Sequence, residues 1–201
     1  MHASVAQRQE YLITVNIAWL CQAEALLTRI DDDVYTASPS GLASHKAGAH
    51  LRHILEFYEC FLAGLARGRI DYDARKRDLS VETSRQTAQA RIRVLIHRLE
   101  TESALRIDSL VSVRIEDSAG SRVPEPFLVS SVGRELQVLS SHTIHHFALM
   151  AMTLRALGVS IDPDFGMAPS TLRYRASQAQ RRPPDVHPQL DLSRRRLSLV
   201  L

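Results

Sequence analysis

The sequence predicts an all-α protein, an up-down four-helix bundle with a small β-hairpin inserted between helices three and four. Three observations carry this. Apolar residues recur at helical spacing in four long segments. The period switches to two near residues 110–129. A chain of 201 residues with 45% hydrophobic content can bury one full core and little more.

The first helix is read over 5–30, on Val5, Leu12, Val15, Trp19, Leu20, Leu26, Leu27 and Ile30. It ends at Asp31-Asp32-Asp33 and a loop, Ala37-Ser38-Pro39-Ser40-Gly41. The second is read over 43–67, where Leu51, Ile54, Leu55, Tyr58, Phe61, Leu62 and Leu65 keep the i, i+3, i+4, i+7 rule and Gly64 and Gly68 weaken it. A polar connection, Ile70 to Asp78, leads to a third helix that Ser80 caps, with Glu82 in its first turn, and that runs to about Ala104. Alternation in Val111-Ser112-Val113-Arg114-Ile115-Glu116, a turn at 117–121 and a second run from Val123 to Val129 make the hairpin, with Pro124 and Pro126 marking an exposed edge. The fourth helix is read over 131–157 and stops at Gly158. Residues 1–175 are thus expected to form the bundle, and 176–201 a disordered tail, because Arg181-Arg182-Pro183-Pro184 cannot join a core.

Charge narrows the function classes once it is located. Seven of the 25 Lys and Arg lie in 173–201, against Asp185 and Asp191. The remainder carries 18 basic and 20 acidic residues, so the basic balance belongs to the tail. A nucleic-acid binder carries its charge on the fold beside aromatics, and the segment 173–201 has only Tyr174. Residues 136–154 lack formal charge, but Gln137, two serines, two threonines and three histidines interrupt them, which argues against a membrane span. The two cysteines, Cys21 and Cys60, make no disulfide framework, and the first residues lack the features of a secretion signal, so a cytoplasmic location is expected.

The histidines point to chemistry. Five of nine fall in two short windows, His50 and His53 in the second helix, and His142, His145 and His146 in the fourth. Residues four apart on a helix share a face at about 6 Å, so His142 and His146 can aim two imidazoles at one point. A third from another helix would complete a facial set for a divalent ion with open positions. At ~100° per residue, His142 and His146 flank the apolar stripe of Leu136, Leu139, Phe147, Met150 and Leu154, while His145 faces away. In the second helix His50 lies nearer the apolar centre and His53 shares a flank with Phe57 and Cys60, so periodicity favours His50 but leaves His53 open. There is no His-Glu-x-x-His, no Cys-x-x-Cys and no Glu-x-x-His pair, which argues for one ion rather than a di-iron centre.

Two segments, Gly48-Ala49-His50-Leu51-Arg52-His53-Ile54-Leu55 and Ser141-His142-Thr143-Ile144-His145-His146, resemble those of the DinB-like (YfiT-like) family of bacterial four-helix metalloproteins, over about 5–158. The resemblance implies that His53, His142 and His146 bind a divalent metal, and imidazole ligands suit zinc, nickel or iron alike. Because some members are thiol-dependent transferases and isomerases, it also implies a low-molecular-weight thiol as co-reactant with a small-molecule electrophile. The competing reading is a non-enzymatic binding or stress-response module whose metal is structural. Glu135, seven residues before His142, is the candidate catalytic carboxylate, to orient an imidazole or act as base, with a surface ion pair as the plain alternative. Cys60 is read as a small buried side chain. Two motifs of the chain, Ile70-Asp71-Tyr72-Asp73-x-Arg75 and Phe165-Gly166-Met167-Ala168-Pro169-Ser170-Thr171, carry no chemistry on sequence grounds. A homodimer is expected, through an apolar strip of Val5, Leu12, Trp19, Leu26 and Ile144.

Overall fold

The computed structural model describes residues 3–41, 45–114 and 126–181. Helix α1 (Val5–Leu27) opens on a capping box in which Ser4 accepts from the Gln7 amide and the Gln7 side chain accepts from the Ser4 amide. The aspartates after it start a further turn instead of a loop. Asp31 caps α2 (Asp32–Thr36) by accepting from Val34 N, and Asp32 and Asp33 sit in the first turn, where the helix dipole favours negative charge. Helix α3 (Ala47–Leu65) follows, then strand β1 (Arg69–Asp71). The expected third helix is two helices. Asp78 rather than Ser80 caps α4 (Leu79–Thr83), and Ser84 breaks the run and caps α5 (Arg85–Thr101) by accepting from Thr87 N. Strands β2 (Leu110–Arg114) and β3 (Leu128–Ser131) are followed by α6 (Val132–Ala156), capped by Ser131.

Helices α1, α5, α3 and α6 pack in that cyclic order, each against two of the others. The core they enclose contains Leu20, Leu27, Leu51, Ile54, Phe61, Leu99, Leu136 and Phe147. A polar network crosses it. Buried Asn16 donates to Leu12 O at 2.8 Å and Leu136 O at 3.1 Å, and accepts from the Tyr58 hydroxyl at 2.7 Å, which ties α1, α3 and α6 together. The Asn16 amide and the Tyr58 hydroxyl are thereby satisfied, as burial demands.

The predicted hairpin is part of a three-stranded sheet of order β1-β2-β3. Strands β2 and β3 pair antiparallel, Val111 opposite Ser130, and the predicted turn lies outside the described residues. Strand β1, taken from the sequence as polar connection, pairs parallel with β2, Ile70 opposite Val113. Three residues are too few to show a period. What admits β1 is Gly64, where a Cβ would lie 2.5 Å from Arg69 O, so only glycine lets α3 approach the strand backbone this closely.

The described residues up to Met167 form one compact unit and those from Ala168 a second. Helix α7 (Pro169–Arg181) belongs to the latter and continues past residue 176, where the sequence suggested that order ends. Ala176, Gln178, Ala179 and Gln180 are sound helix formers. The strip expected to form a dimer contact is mostly internal: Trp19 and Leu26 are buried, and the Trp19 indole donates to Ser140 Oγ at 2.8 Å. No helix among the described residues is long and apolar enough to cross a membrane.

Candidate metal centre

Helices α3 and α6 lie side by side and bring the two histidine windows together. His53, His142 and His146, all half-buried, each offer a ring nitrogen, and these lie within 4.8 Å of one another. His53 Nε2 and His142 Nε2 are 3.1 Å apart. The spacing of four on α6 puts His142 and His146 edge to face with ring centroids 4.5 Å apart. His145 is exposed, as the wheel indicated, although its ring still meets that of His146 at 5.1 Å. On α3 both candidates face the centre. His53 belongs to the triad, and His50 Nδ1 lies 3.1 Å from His146 Nδ1 as an adjoining ring.

Burial keeps these rings neutral. It lowers His53 to about 3, helped by the Arg75 cation, and lowers His142 to about 4 and His146 to about 2, helped by neighbouring imidazoles. His50 is lowered for the same first reason. Neutral imidazole is the form that ligates a metal. Two ring nitrogens, His50 Nε2 and His142 Nδ1, are buried without a hydrogen-bond partner. Unpaired buried groups of this kind are costly, and neutral rings brought this close can turn their lone pairs on a shared cation.

Aromatic packing fixes the rings. Phe57, one turn beyond His53 on α3, stacks on His142 at 4.0 Å between centroids, and Tyr72 stacks on the far face of Phe57 at 4.8 Å. The Tyr72 hydroxyl donates to Glu135 Oε2 at 3.0 Å, and Ser130 Oγ donates to Glu135 Oε1 at 2.6 Å. Glu135 is therefore neither a surface ion pair nor hydrogen-bonded to an imidazole among the described residues. It is buried and braces the stack that holds His142. Burial and the Glu135 charge raise the Tyr72 phenol, so its hydroxyl keeps its proton and donates.

Sequence reasoning left Tyr72 and Arg75 as a motif without chemistry. Arg75 Nε donates to Tyr72 O at 3.0 Å and its Nη1 donates to His53 Nδ1 at close range. Glu56, three residues after His53, is structural: it pairs with Arg52 at 3.1 Å and accepts from Asp78 N at 2.7 Å. Cys60 is half-buried and lies outside the triad, and burial pushes its thiol up to about 11.

In the second motif, Phe165 stacks on Phe147 at 4.7 Å. Gly166 adopts φ +70°, and a Cβ there would meet Phe147 Cβ at 2.7 Å. Phe165 and Gly166 thus pack the core.

The crystal structure of a DinB-like protein, YjoA from Bacillus subtilis, superposes with a TM-score of 0.56 at 18% identity, covering 76% of this chain and 96% of that one. The chain has a DinB-like fold. No protein-family model matches it. Over 106 residues, 52% of the chain, it is 36% identical to FK506-binding protein 5 of Rhizopus delemar. The match spans 27% of that protein, so the chain corresponds to about a quarter of the relative's length. A DinB-like fold and a half-buried histidine triad of this geometry fit a metal-binding protein.

Proposed function

We propose that the chain binds one divalent ion, zinc, nickel or iron, through His53, His142 and His146, and uses it to activate a small thiol, or water, against a small electrophile. The observation that carries the reading is the convergence of three imidazoles from two helices, with ring nitrogens within 4.8 Å of one another. When bound, a divalent ion held by neutral ligands keeps its charge, so it can lower the pKa of water to about 7 or hold a thiol as thiolate.

The chain's own residues supply the rest. Phe57 and Tyr72 orient the His142 ring, and Glu135 anchors Tyr72. Glu135 thus serves as a positioning residue for a ligand rather than as a base touching the reacting atoms. Burial pushes the Cys60 thiol up, so it keeps its proton at neutral pH.

A screen with cysteine as thiol and 1-chloro-2,4-dinitrobenzene as electrophile tests this. The sulfur forms a bond to the ring carbon, chloride leaves, and the thiol proton passes to solvent. A rate that needs added metal and disappears in His146→Ala supports the enzyme reading. Equal rates with metal-free and metal-loaded protein would leave the metal a structural role only.

A further inference from the structure

His50 adjoins the triad without belonging to it. It precedes His53 on α3 by three residues, so the two rings share a face of the helix. Its Nδ1 meets His146 Nδ1 at 3.1 Å, and its Nε2 is buried without a hydrogen-bond partner. A nitrogen left in that state is costly, and the contact with His146 is the hydrogen bond that His50 makes in exchange.

Ring protons decide the direction of that contact. Two imidazole nitrogens joined by a hydrogen bond hold one proton between them, so one ring donates and the other accepts. The Arg75 guanidinium donates to His53 Nδ1, so the proton of a neutral His53 sits on Nε2 and is donated to His142 Nε2. His142 then carries its own proton on Nδ1, which has no partner. Neither of these rings has an acceptor left for a proton on His146 Nε2. The His146 proton therefore belongs on Nδ1, donated to His50, and the Nε2 lone pair stays open. A neutral imidazole ligates through such a lone pair.

We propose that His50 is a positioning residue for the metal centre: by accepting the Nδ1 proton of His146 it fixes the tautomer and the ring orientation in which His146 offers Nε2 to an ion. Metal-bound histidines commonly hold a carboxylate, a carbonyl or a water in that place, and here a second imidazole takes it. The consequence for affinity rests on the metal reading, whereas the tautomer is observable without metal.

Long-range proton–nitrogen NMR correlations of the metal-free full chain read the tautomer, with His146 assigned by its loss in His146→Gln. An Nδ1–H ring is expected in wild type and in His50→Asn, whose amide oxygen can accept where Nδ1 did. His50→Phe, which keeps a ring and removes the acceptor, should shift His146 toward Nε2–H. Zinc affinity, measured by competition with a chromogenic chelator, should fall by roughly 10–100-fold in His50→Phe and recover most of that loss in His50→Asn. An Nε2–H His146 in wild type overturns the proposal, as does wild-type zinc affinity in a folded His50→Phe. Equal loss of affinity in both variants also overturns it, because a direct ligand or a packing role is lost in either. If His50→Phe does not fold, the wild-type tautomer decides alone. If the wild type takes up no zinc, the metal reading fails by itself, and the spectra still decide the His50 contact.

Discussion

Arg75 sets the state of the centre one atom at a time. A guanidinium only donates, so His53 Nδ1, which it contacts, must accept, and the proton of that neutral ring sits on Nε2, facing His142. A metal on Nε2 needs the opposite tautomer, and a nearby cation opposes the ion's charge as well. Arg75→Gln is therefore expected to tighten zinc binding by about tenfold, ~1.4 kcal/mol, in a competition assay against a chromogenic chelator. Unchanged or weaker binding contradicts this account of His53.

The same rings set a pH dependence. Their folded values lie below the ordinary 6.5, so between pH 6.5 and about 4 the unfolded chain binds protons that the folded chain refuses. Stability of the metal-free chain then falls as pH drops below 6.5, and is insensitive to these groups above it. Thermal melts from pH 7 to 5 are expected to slope less steeply in His142→Gln than in wild type; parallel slopes mean that His142 titrates normally. At this scale the sequence was informative where periodicity acts. It separated His142 and His146 from His145 by angle alone. It did not reveal Phe57, Tyr72 and Arg75 as the groups that hold the rings, because stacking across α3 and the strand connection has no sequence period.

At the scale of elements, the four long helices were legible because each buries one stripe for several turns, and buried stripes write themselves at 3.6-residue spacing. Short elements were not. The aspartate run that begins α2, the Ser84 break between α4 and α5, and the three residues of β1 are decided by caps and tertiary pairing. Gly64 shows what such pairing requires, since it was read as a weakness of its helix and is the point where β1 docks. Gly64→Ala is expected to destabilise the chain by about 1–3 kcal/mol, the usual cost of overpacking, in denaturant titration, although alanine is the better helix former. A gain in stability would show that β1 is not held against α3 in solution.

For the whole molecule, association is a proposal with a revised location. Trp19 and Leu26 of the α1 strip pack into the chain's own core, whereas Leu110 and Val129 are 72% and 77% exposed and share one face of the β2–β3 ladder. Sedimentation at micromolar concentration is expected to give a dimer, and Val129→Lys a monomer; a monomeric wild type removes the proposal. The bundle's larger role is to carry two helices whose histidines meet. Metal content therefore tests the account most directly. The untagged protein is dialysed against zinc, passed through a desalting column and analysed by inductively coupled plasma mass spectrometry beside His53→Ala, His142→Ala, His146→Ala and His145→Ala. One ion per chain in wild type and His145→Ala, with near-total loss in each of the other three, is the predicted result; metal retained at one per chain in all three would contradict it.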